Sequence, residues 1–285
     1  GKTRVIAHRI AYLVSEGVAR PDGILAVTFT NKAAAEMRER VEGLLDIDCR
    51  SMWLSTFHSL CARLLRREAP HIGLSRDFTI YDTADQQSVI KQLIKEYNLD
   101  DAAYQPRMVL GRISHAKNRM EGPDSFENTW NPRDREIGRL FAGYTKALTE
   151  ASALDFDDLL LKSVDLFERA PGLRDRYAQR FRFVMVDEYQ DTNRPQYLLI
   201  KHFAAIHRNL AVVGDPDQSI YKWRGADLRN IMDFEQDFPE AVVVRLERNY
   251  RSTQVILDAA SAVIANNRNR KEKALWTDQK GGARI

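Results

Sequence analysis

Four short runs along the chain are apolar without interruption: Ile24-Leu25-Ala26-Val27, Phe183-Val184-Met185-Val186, Leu210-Ala211-Val212-Val213 and Val242-Val243-Val244. They are rich in β-branched residues and do not alternate with polar ones, which predicts strands of a parallel sheet covered on both faces. Between them the apolar spacing becomes helical. Ile6, Ile10, Leu13 and Val14 share one face of a helix that starts near Lys2. Ala33 to Leu45 and Gln196 to Ile206 read as helices too. Strand–helix alternation of this kind predicts a doubly wound α/β sheet.

The stretch from about Ile72 to Ser152 has a different pattern. Its one strand-like run is Phe78-Thr79-Ile80. Thr83-Ala84-Asp85-Gln86 fits a capping box that opens a helix through Val89, Leu93, Ile94 and Tyr97. A second helix carries Ile137, Leu140, Phe141, Tyr144 and Leu148, and a loop around Gly122-Pro123 and Asn131-Pro132 lies between the two. The region reads as a helical insertion between two halves of the α/β domain. Near the end, Ser252 to Asn267 forms an amphipathic pattern with Val255, Ile256, Ala259, Ala260 and Val263 expected to face inward.

Composition narrows the class without choosing the function. The 285 residues carry 43 Lys+Arg against 40 Asp+Glu, a formal net charge of +3, and are 44% hydrophobic. That is an ordinary globular balance of about two domains' length. No apolar run reaches the ~18 residues that span a bilayer, so no membrane role is expected. Cys49 and Cys61 are the only cysteines, too few for a disulfide scaffold, and a reduced, cytoplasmic setting follows as the default. The histidines show no metal-ligand spacing, so a zinc site is not expected. The chain opens on Gly1 rather than Met, and the expectation is a fragment of a longer protein.

Candidate chemistry lies at the ends of the apolar runs. Gly1-Lys2-Thr3 matches the last three positions of a phosphate loop, in which a helix N-terminus and backbone N–H groups hold phosphates, Lys reaches the outer ones and the hydroxyl meets Mg²⁺. By itself the tripeptide is common by chance and reads first as a helix start with a solvated Lys. Asp187-Glu188 directly follows the second run; in an ATPase such a pair supplies a Mg²⁺ ligand and a proton acceptor for the attacking water. Gln218 closes Gly214-Asp215-Pro216-Asp217-Gln218 after the third run and is placed to sense a terminal phosphate. In Leu246-Glu247-Arg248-Asn249-Tyr250-Arg251-Ser252, beyond the fourth run, an Arg could reach across a cleft as an arginine finger, although in isolation it reads as a surface Arg in a helix's first turn. Aromatics beside polar and basic residues recur at Phe29-Thr30-Asn31-Lys32, Thr56-Phe57-His58 and Tyr221-Lys222-Trp223-Arg224. Rings of this kind stack on bases at ~1–3 kcal/mol each, although Phe29 and Phe57 taken singly read as core residues.

The order of these motifs resembles the superfamily-one DNA helicases of the UvrD/PcrA/Rep type. The resemblance rests on Ala26-Val27-Thr28-Phe29-Thr30-Asn31-Lys32-Ala33-Ala34, Thr56-Phe57-His58, Val186-Asp187-Glu188-Tyr189-Gln190-Asp191, Val213 to Tyr221, Trp223-Arg224-Gly225-Ala226 and Asn249-Tyr250-Arg251-Ser252. It implies a P-loop (RecA-like) doubly wound parallel sheet in two parts, 1–72 and 153–249, with a helical subdomain inserted at 73–152 and a second motor domain starting at 250–285. It also implies ATP and Mg²⁺ as cofactors and single-stranded DNA, with its duplex junctions, as the partner. Gly1, Lys2, Thr3 and Arg4 would hold the nucleotide, with Tyr250 on the adenine. Thr3 and Asp187 would hold Mg²⁺; Glu188, Gln218 and Arg251 would act in hydrolysis. Phe29, Asn31, Thr56, Phe57, His58, Tyr221 and Trp223 would line the strand track, and Arg224 would link it to the nucleotide site. The implied activity is ATP-driven 3′–5′ movement on DNA in repair or replication. A non-catalytic strand-binding module and the motor of a helicase–nuclease remain as competing classes.

Overall fold

In the computed structural model, residues 1–127, 129–221, 225–267, 273–279 and 281 are described. The helices in chain order are α1 (Lys2–Ser15), α2 (Asn31–Leu45), α3 (Phe57–Glu68), α4 (Thr83–Glu96), α5 (Pro106–Lys117), α6 (Pro132–Glu150), α7 (Phe156–Arg169), α8 (Pro171–Arg180), α9 (Arg194–Ala204), α10 (Arg229–Met232), α11 (Phe234–Asp237) and α12 (Gln254–Ile264). The strands are β1 (Ile24–Thr28), β2 (Trp53–Thr56), β3 (Thr79–Ile80), β4 (Ala153–Leu154), β5 (Phe183–Val186) and β6 (Leu210–Val212).

β2, β1, β5 and β6 form a parallel sheet in that order. Its uninterrupted apolar runs follow from having both faces covered. Leu25, Val27, Val184 and Val186 point into a core shared with α3, α7, α8 and α9. Ile24, Ala26, Phe183 and Met185 point into a second core with α1 and α2. Each of these side chains except Ala26 contributes ~1.5–3 kcal/mol on burial, so the sheet is the rigid platform on which its end loops stand. The parallel α/β architecture agrees with the expectation from the pattern.

α4, α5 and α6 have a core of their own, built from Ile90, Ile94, Val109, Ile113, Leu140, Phe141 and Tyr144. The two-residue pair β3–β4 joins the start and end of this helical segment. Helix α4 starts one residue before the position read from sequence: Asp82, not Thr83, is the N-cap, and its capping box closes with Asp85. An Asp carboxylate accepting from two backbone N–H groups, Ala84 and Asp85, out-competes the neighbouring hydroxyl. Strand β2 and helices α5, α7 and α8 had no counterpart in the sequence reading.

Two expectations fail near the end of the chain. Val242-Val243-Val244 forms no strand and is exposed. β-branched residues favour a strand only where a neighbouring ladder and a covering layer exist, and none of the described strands pairs with this run. Helix α12 is present, but Val255, Ile256 and Val263 are exposed, and Leu257 is its buried residue. The apolar stripe there lies away from the body of the described chain.

Between the helical segment and α7 lies a buried ionic cluster. Lys117, the last residue of α5, donates to Asp155 Oδ2 at 2.7 Å and Asp158 Oδ1 at 2.8 Å, and Tyr144 donates to Asp155 Oδ2 at 2.9 Å. Asp155 is also the N-cap of α7, boxed with Asp158. Burial opposes charge on Lys117, but Asp158 and Asp155 outweigh it and raise its pKa. Asp157 is pushed up to about 6, by burial first and by Asp155 second. A folded-state pKa above the unfolded value means that this group's stability contribution is present below about pH 4 and is lost as pH rises through about 6. A shift of about two units corresponds to at most ~3 kcal/mol. Asp157→Asn is therefore expected to raise unfolding stability by ~1–2 kcal/mol at pH 8 and by about half as much at pH 5, in urea titrations at the two pH values.

Candidate nucleotide site and strand track

The first turn of α1 stands at the C-terminal edge of the sheet, facing the loops after β5 and β6. Gly1 is the N-cap, and the turn contains no acidic residue, so the first N–H groups of the helix present positive potential there. Strand β5 is fixed in register with β1, and Asp187 N–H donates to Val27 O at 2.9 Å. Immediately after it Glu188 takes φ +50°, a left-handed conformation, and a tight turn follows over Tyr189–Asp191. This kink turns the Asp187 and Glu188 side chains back toward α1.

Four of the sequence-predicted residues converge with Thr3 here. Lys2 Nζ donates to Glu188 Oε2 at 2.5 Å and to Gln218 Oε1 at 3.2 Å. Thr3 Oγ1 donates to Asp187 Oδ2 at 2.5 Å. Gln218 Nε2 donates to Asp215 Oδ2 at 2.6 Å, which fixes the amide from its other side. Asp187 is buried, and its pKa is raised by burial first, with the Thr3 hydroxyl opposing and the Glu188 charge adding. Asp191 is pushed up to about 6, by burial and by Glu188. The spot is thus rich in carboxylate and short of cations.

That imbalance suits a divalent cation. Carboxylate and hydroxyl oxygens are hard donors of the kind Mg²⁺ prefers, and Mg²⁺ is commonly held by one or two carboxylates together with phosphate oxygens. Among the described residues no group of three or more His, Cys, Asp or Glu side chains could hold a metal by itself, so phosphate would have to complete the shell.

A role for Gln190 was not visible in the sequence, although the residue lies within one of the quoted motifs. It is 1% exposed. Its Nε2 donates to Glu188 Oε2 at 3.0 Å and Asp191 Oδ2 at 3.1 Å, and its Oε1 accepts from Asp215 N–H at 2.9 Å. One amide therefore ties the acidic turn to the loop that carries Gln218. A Cβ on Gly214 would lie 2.8 Å from Gln190 Oε1, which explains the glycine beside it. Polarity alone does not distinguish this buried amide from a solvated one.

Arg4, Tyr250 and Arg251 are not joined to this cluster. Arg4 is exposed and donates to His8 Nε2 at 3.3 Å. Tyr250 is exposed with the Arg248 guanidinium 5.0 Å from its ring centre. Arg251 is exposed, and its backbone N–H donates to Asn249 Oδ1 at 2.8 Å. Another cation comes nearer: Lys273 pairs with Asp215 and, at 3.0 Å, with Asp217.

The strand-track candidates sit beside the nucleotide cluster because β1 and β2 pair with Thr28 opposite Thr56. That register brings Phe29–Asn31 and Thr56–His58 out side by side. Thr30 caps α2 and Thr56 caps α3, accepting from Ala33 N–H and Ser59 N–H, so two helix N-termini open on the same edge. Thr56 Oγ1 lies 3.5 Å from Asn31 Oδ1, and Asn31 is exposed. Phe57 requires a correction: at 2% exposed it belongs to the main core and offers no stacking face. It supports Phe29 instead, edge to face at 5.9 Å, and Phe29 is half-buried. His58 packs against Phe156, and burial lowers its pKa. Tyr221 is 38% exposed. Trp223 and Arg224 lie outside the described residues.

Comparison with known proteins matches the same span. The family model for the UvrD/REP helicase N-terminal domain covers residues 1–239. The ATP-dependent DNA helicase PcrA of Bacillus subtilis (strain 168) is 52% identical over 286 residues, which is all of this chain and 39% of that protein. The ATP-dependent DNA helicases PcrA of Staphylococcus aureus (strain Mu50) and Staphylococcus epidermidis are each 50% identical, again over the whole chain and 39% of their own length. The chain thus spans about two fifths of the relatives it matches. With most of its length under that model, the chain belongs to the UvrD/REP helicase N-terminal domain family.

Proposed function

We propose that this chain is the first motor part of an ATP-dependent DNA helicase that moves along single-stranded DNA, 3′ to 5′, in cytoplasmic DNA repair or replication. The observation that carries the reading is the convergence of Lys2, Thr3, Asp187, Glu188 and Gln218 in one hydrogen-bonded cluster at the sheet's C-terminal edge. ATP with Mg²⁺ belongs there. Mg²⁺ would neutralise charge on the phosphates, with Thr3 and Asp187 as its protein ligands. The N-terminal turn of Gly1 to Arg4 cradles the phosphates. Lys2, paired with Glu188 in this structure, turns to the outer phosphates and leaves the Glu188 carboxylate free to accept a proton from water. Gln218 contacts the terminal phosphate. Tyr250 and Arg251, outside the cluster here, would reach adenine and phosphate on closure of the second motor domain, a motion of the hinge type.

The strand runs over Phe29, Asn31, His58 and Tyr221, while Thr56, 5% exposed, shapes the turn beneath them; the roles of Trp223 and Arg224 rest on their motif, and duplex junctions are engaged beyond the track. The division into 1–72, 73–152, 153–249 and 250–285 accompanies this reading; the separate core of α4, α5 and α6 supports its inserted part. A test is the titration of labelled single-stranded DNA against the full-length protein at two salt concentrations. Affinity is expected to fall steeply with salt, with a slope of about −0.7 per phosphate contacted. Salt-independent binding, or none at low salt, contradicts the track.

A further inference from the structure

The N-cap of α9 just after the acidic turn, the segment beyond Tyr221 and the helical insert meet at one side chain, Asn118, which closes α5 and is 7% exposed. Its Nδ2 donates to Ser114 O at 2.7 Å and Ser114 Oγ at 3.2 Å, and reaches Asp157 Oδ1 of α7 at 3.3 Å. Its Oδ1 accepts from Asn193 Nδ2. Asn193 is itself buried and caps α9, five residues after Glu188. The connection between those two residues is stiff. Asp191 N–H donates to Glu188 O at 2.9 Å, and Thr192 donates to Tyr189 O through both its N–H, at 3.2 Å, and its hydroxyl, at 2.8 Å.

The track segment approaches Asn118 from another side. Gly225, at φ +81°, packs so closely that an added Cβ would lie 2.6 Å from Asn118 Cβ. The chain just beyond it is hooked to the same acidic turn. Asp227 N–H donates to Thr192 O at 3.0 Å, and Asn230 Nδ2 donates to Thr192 O and Oγ1 at 3.0 Å each. Ala226 N–H donates to Tyr221 O at 3.3 Å, so a displacement at Tyr221 bears on Asn118 and Thr192 together. Both belong to a packed, fully hydrogen-bonded contact of the kind that shifts as a unit.

We propose that Asn118 is a positioning residue that transmits occupancy of the strand track to the catalytic turn at Glu188. This rests on the motor reading above. A strand seated on the track presses Gly225 toward Asn118, and Asn118 sets Asn193 and, through the stiff turn, Glu188. Among the described residues Asn118 touches no nucleotide candidate and no track side chain, and the turn's own hydrogen bonds hold Glu188 when no strand is bound, so turnover without DNA does not depend on it.

The experiment is steady-state ATP hydrolysis by the full-length protein, with and without saturating single-stranded DNA, for the wild type and three variants. Asn118→Ala is expected to keep the unstimulated rate and the KM for ATP within about twofold while stimulation by DNA falls about fivefold or more, in the range of ordinary coupling between sites. Asn118→Asp keeps the size of the residue and the acceptor for Asn193 but sets a carboxylate against Asp157, and it is expected to lose stimulation too. Adding Asp157→Asn relieves the contact with Asp157 but leaves a carboxylate oxygen against Ser114 O, and is expected to restore stimulation in part. Equal loss of both rates in Asn118→Ala and Asn118→Asp, or stimulation unchanged in both, overturns the proposal while the motor reading stands. A wild type that DNA does not stimulate overturns both. The isosteric Asn118→Asp and its double variant carry the test if Asn118→Ala does not fold.

Discussion

In the full-length protein, Lys2→Ala cuts single-strand-stimulated ATP turnover by about 10²-fold or more, the scale of losing one preorganised charge-stabilising donor, and leaves strand binding within about twofold. Lys2 is the cation that faces both Glu188 and Gln218. Without it the turn keeps Asp187, Glu188 and Asp191 close together and unbalanced, and these repel a triphosphate as well as one another. Strand binding persists because Phe29, Asn31 and Thr56 belong to the β1–β2 edge and make no hydrogen bond to Lys2. Undiminished turnover in this variant would remove Lys2 from the nucleotide site. A parallel loss of strand affinity would mean instead that α1 had lost its place on the sheet.

The second large effect concerns stability. Lys117→Ala is expected to destabilise the fold by ~3–5 kcal/mol, the usual cost of breaking a buried ion pair from one side. The variant leaves Asp155, Asp157 and Asp158 facing one another with their cation gone. It also removes a partner from the residue that caps α7. The loss shrinks as pH falls and the carboxylates take up protons, since the penalty belongs to their charged forms. Lys117→Met combined with Asp155→Asn and Asp158→Asn is expected to recover most of the stability, because an uncharged, filled site escapes the desolvation cost. Urea unfolding at neutral pH measures both. A change under about 1 kcal/mol would place the cluster in contact with water.

How much of this was readable beforehand depended on whether a signal was local. β1 and β5 were legible because both faces of those strands are covered and their sequences are uniformly apolar. β2 was not: its four residues, Trp53–Thr56, include Ser and Thr and depend on the ladder with β1. Val242-Val243-Val244 has the stronger strand composition yet remains exposed, because β propensity acts through neighbours. The start of α4 shifted by one residue because two good capping side chains stand side by side. In the candidate site, Lys2 and Thr3 were legible from the Gly1-Lys2-Thr3 tripeptide, and Asp187, Glu188 and Gln218 from residue type and position after strands. Phe57 misled, because a ring beside polar residues can as well point inward to the core. Gln190, Asn118 and the Lys117 cluster were silent for the opposite reason: a polar residue in sequence reads as solvated, and only long-range packing buries it.

The most direct measurement is a structure of the full-length protein with Mg²⁺ and a non-hydrolysable ATP analogue. The expected result is one triphosphate with Lys2 Nζ on its outer oxygens, Thr3 and Asp187 on the metal side and Gln218 at the terminal phosphate. A nucleotide seated elsewhere, with Lys2 still paired to Glu188, would contradict it.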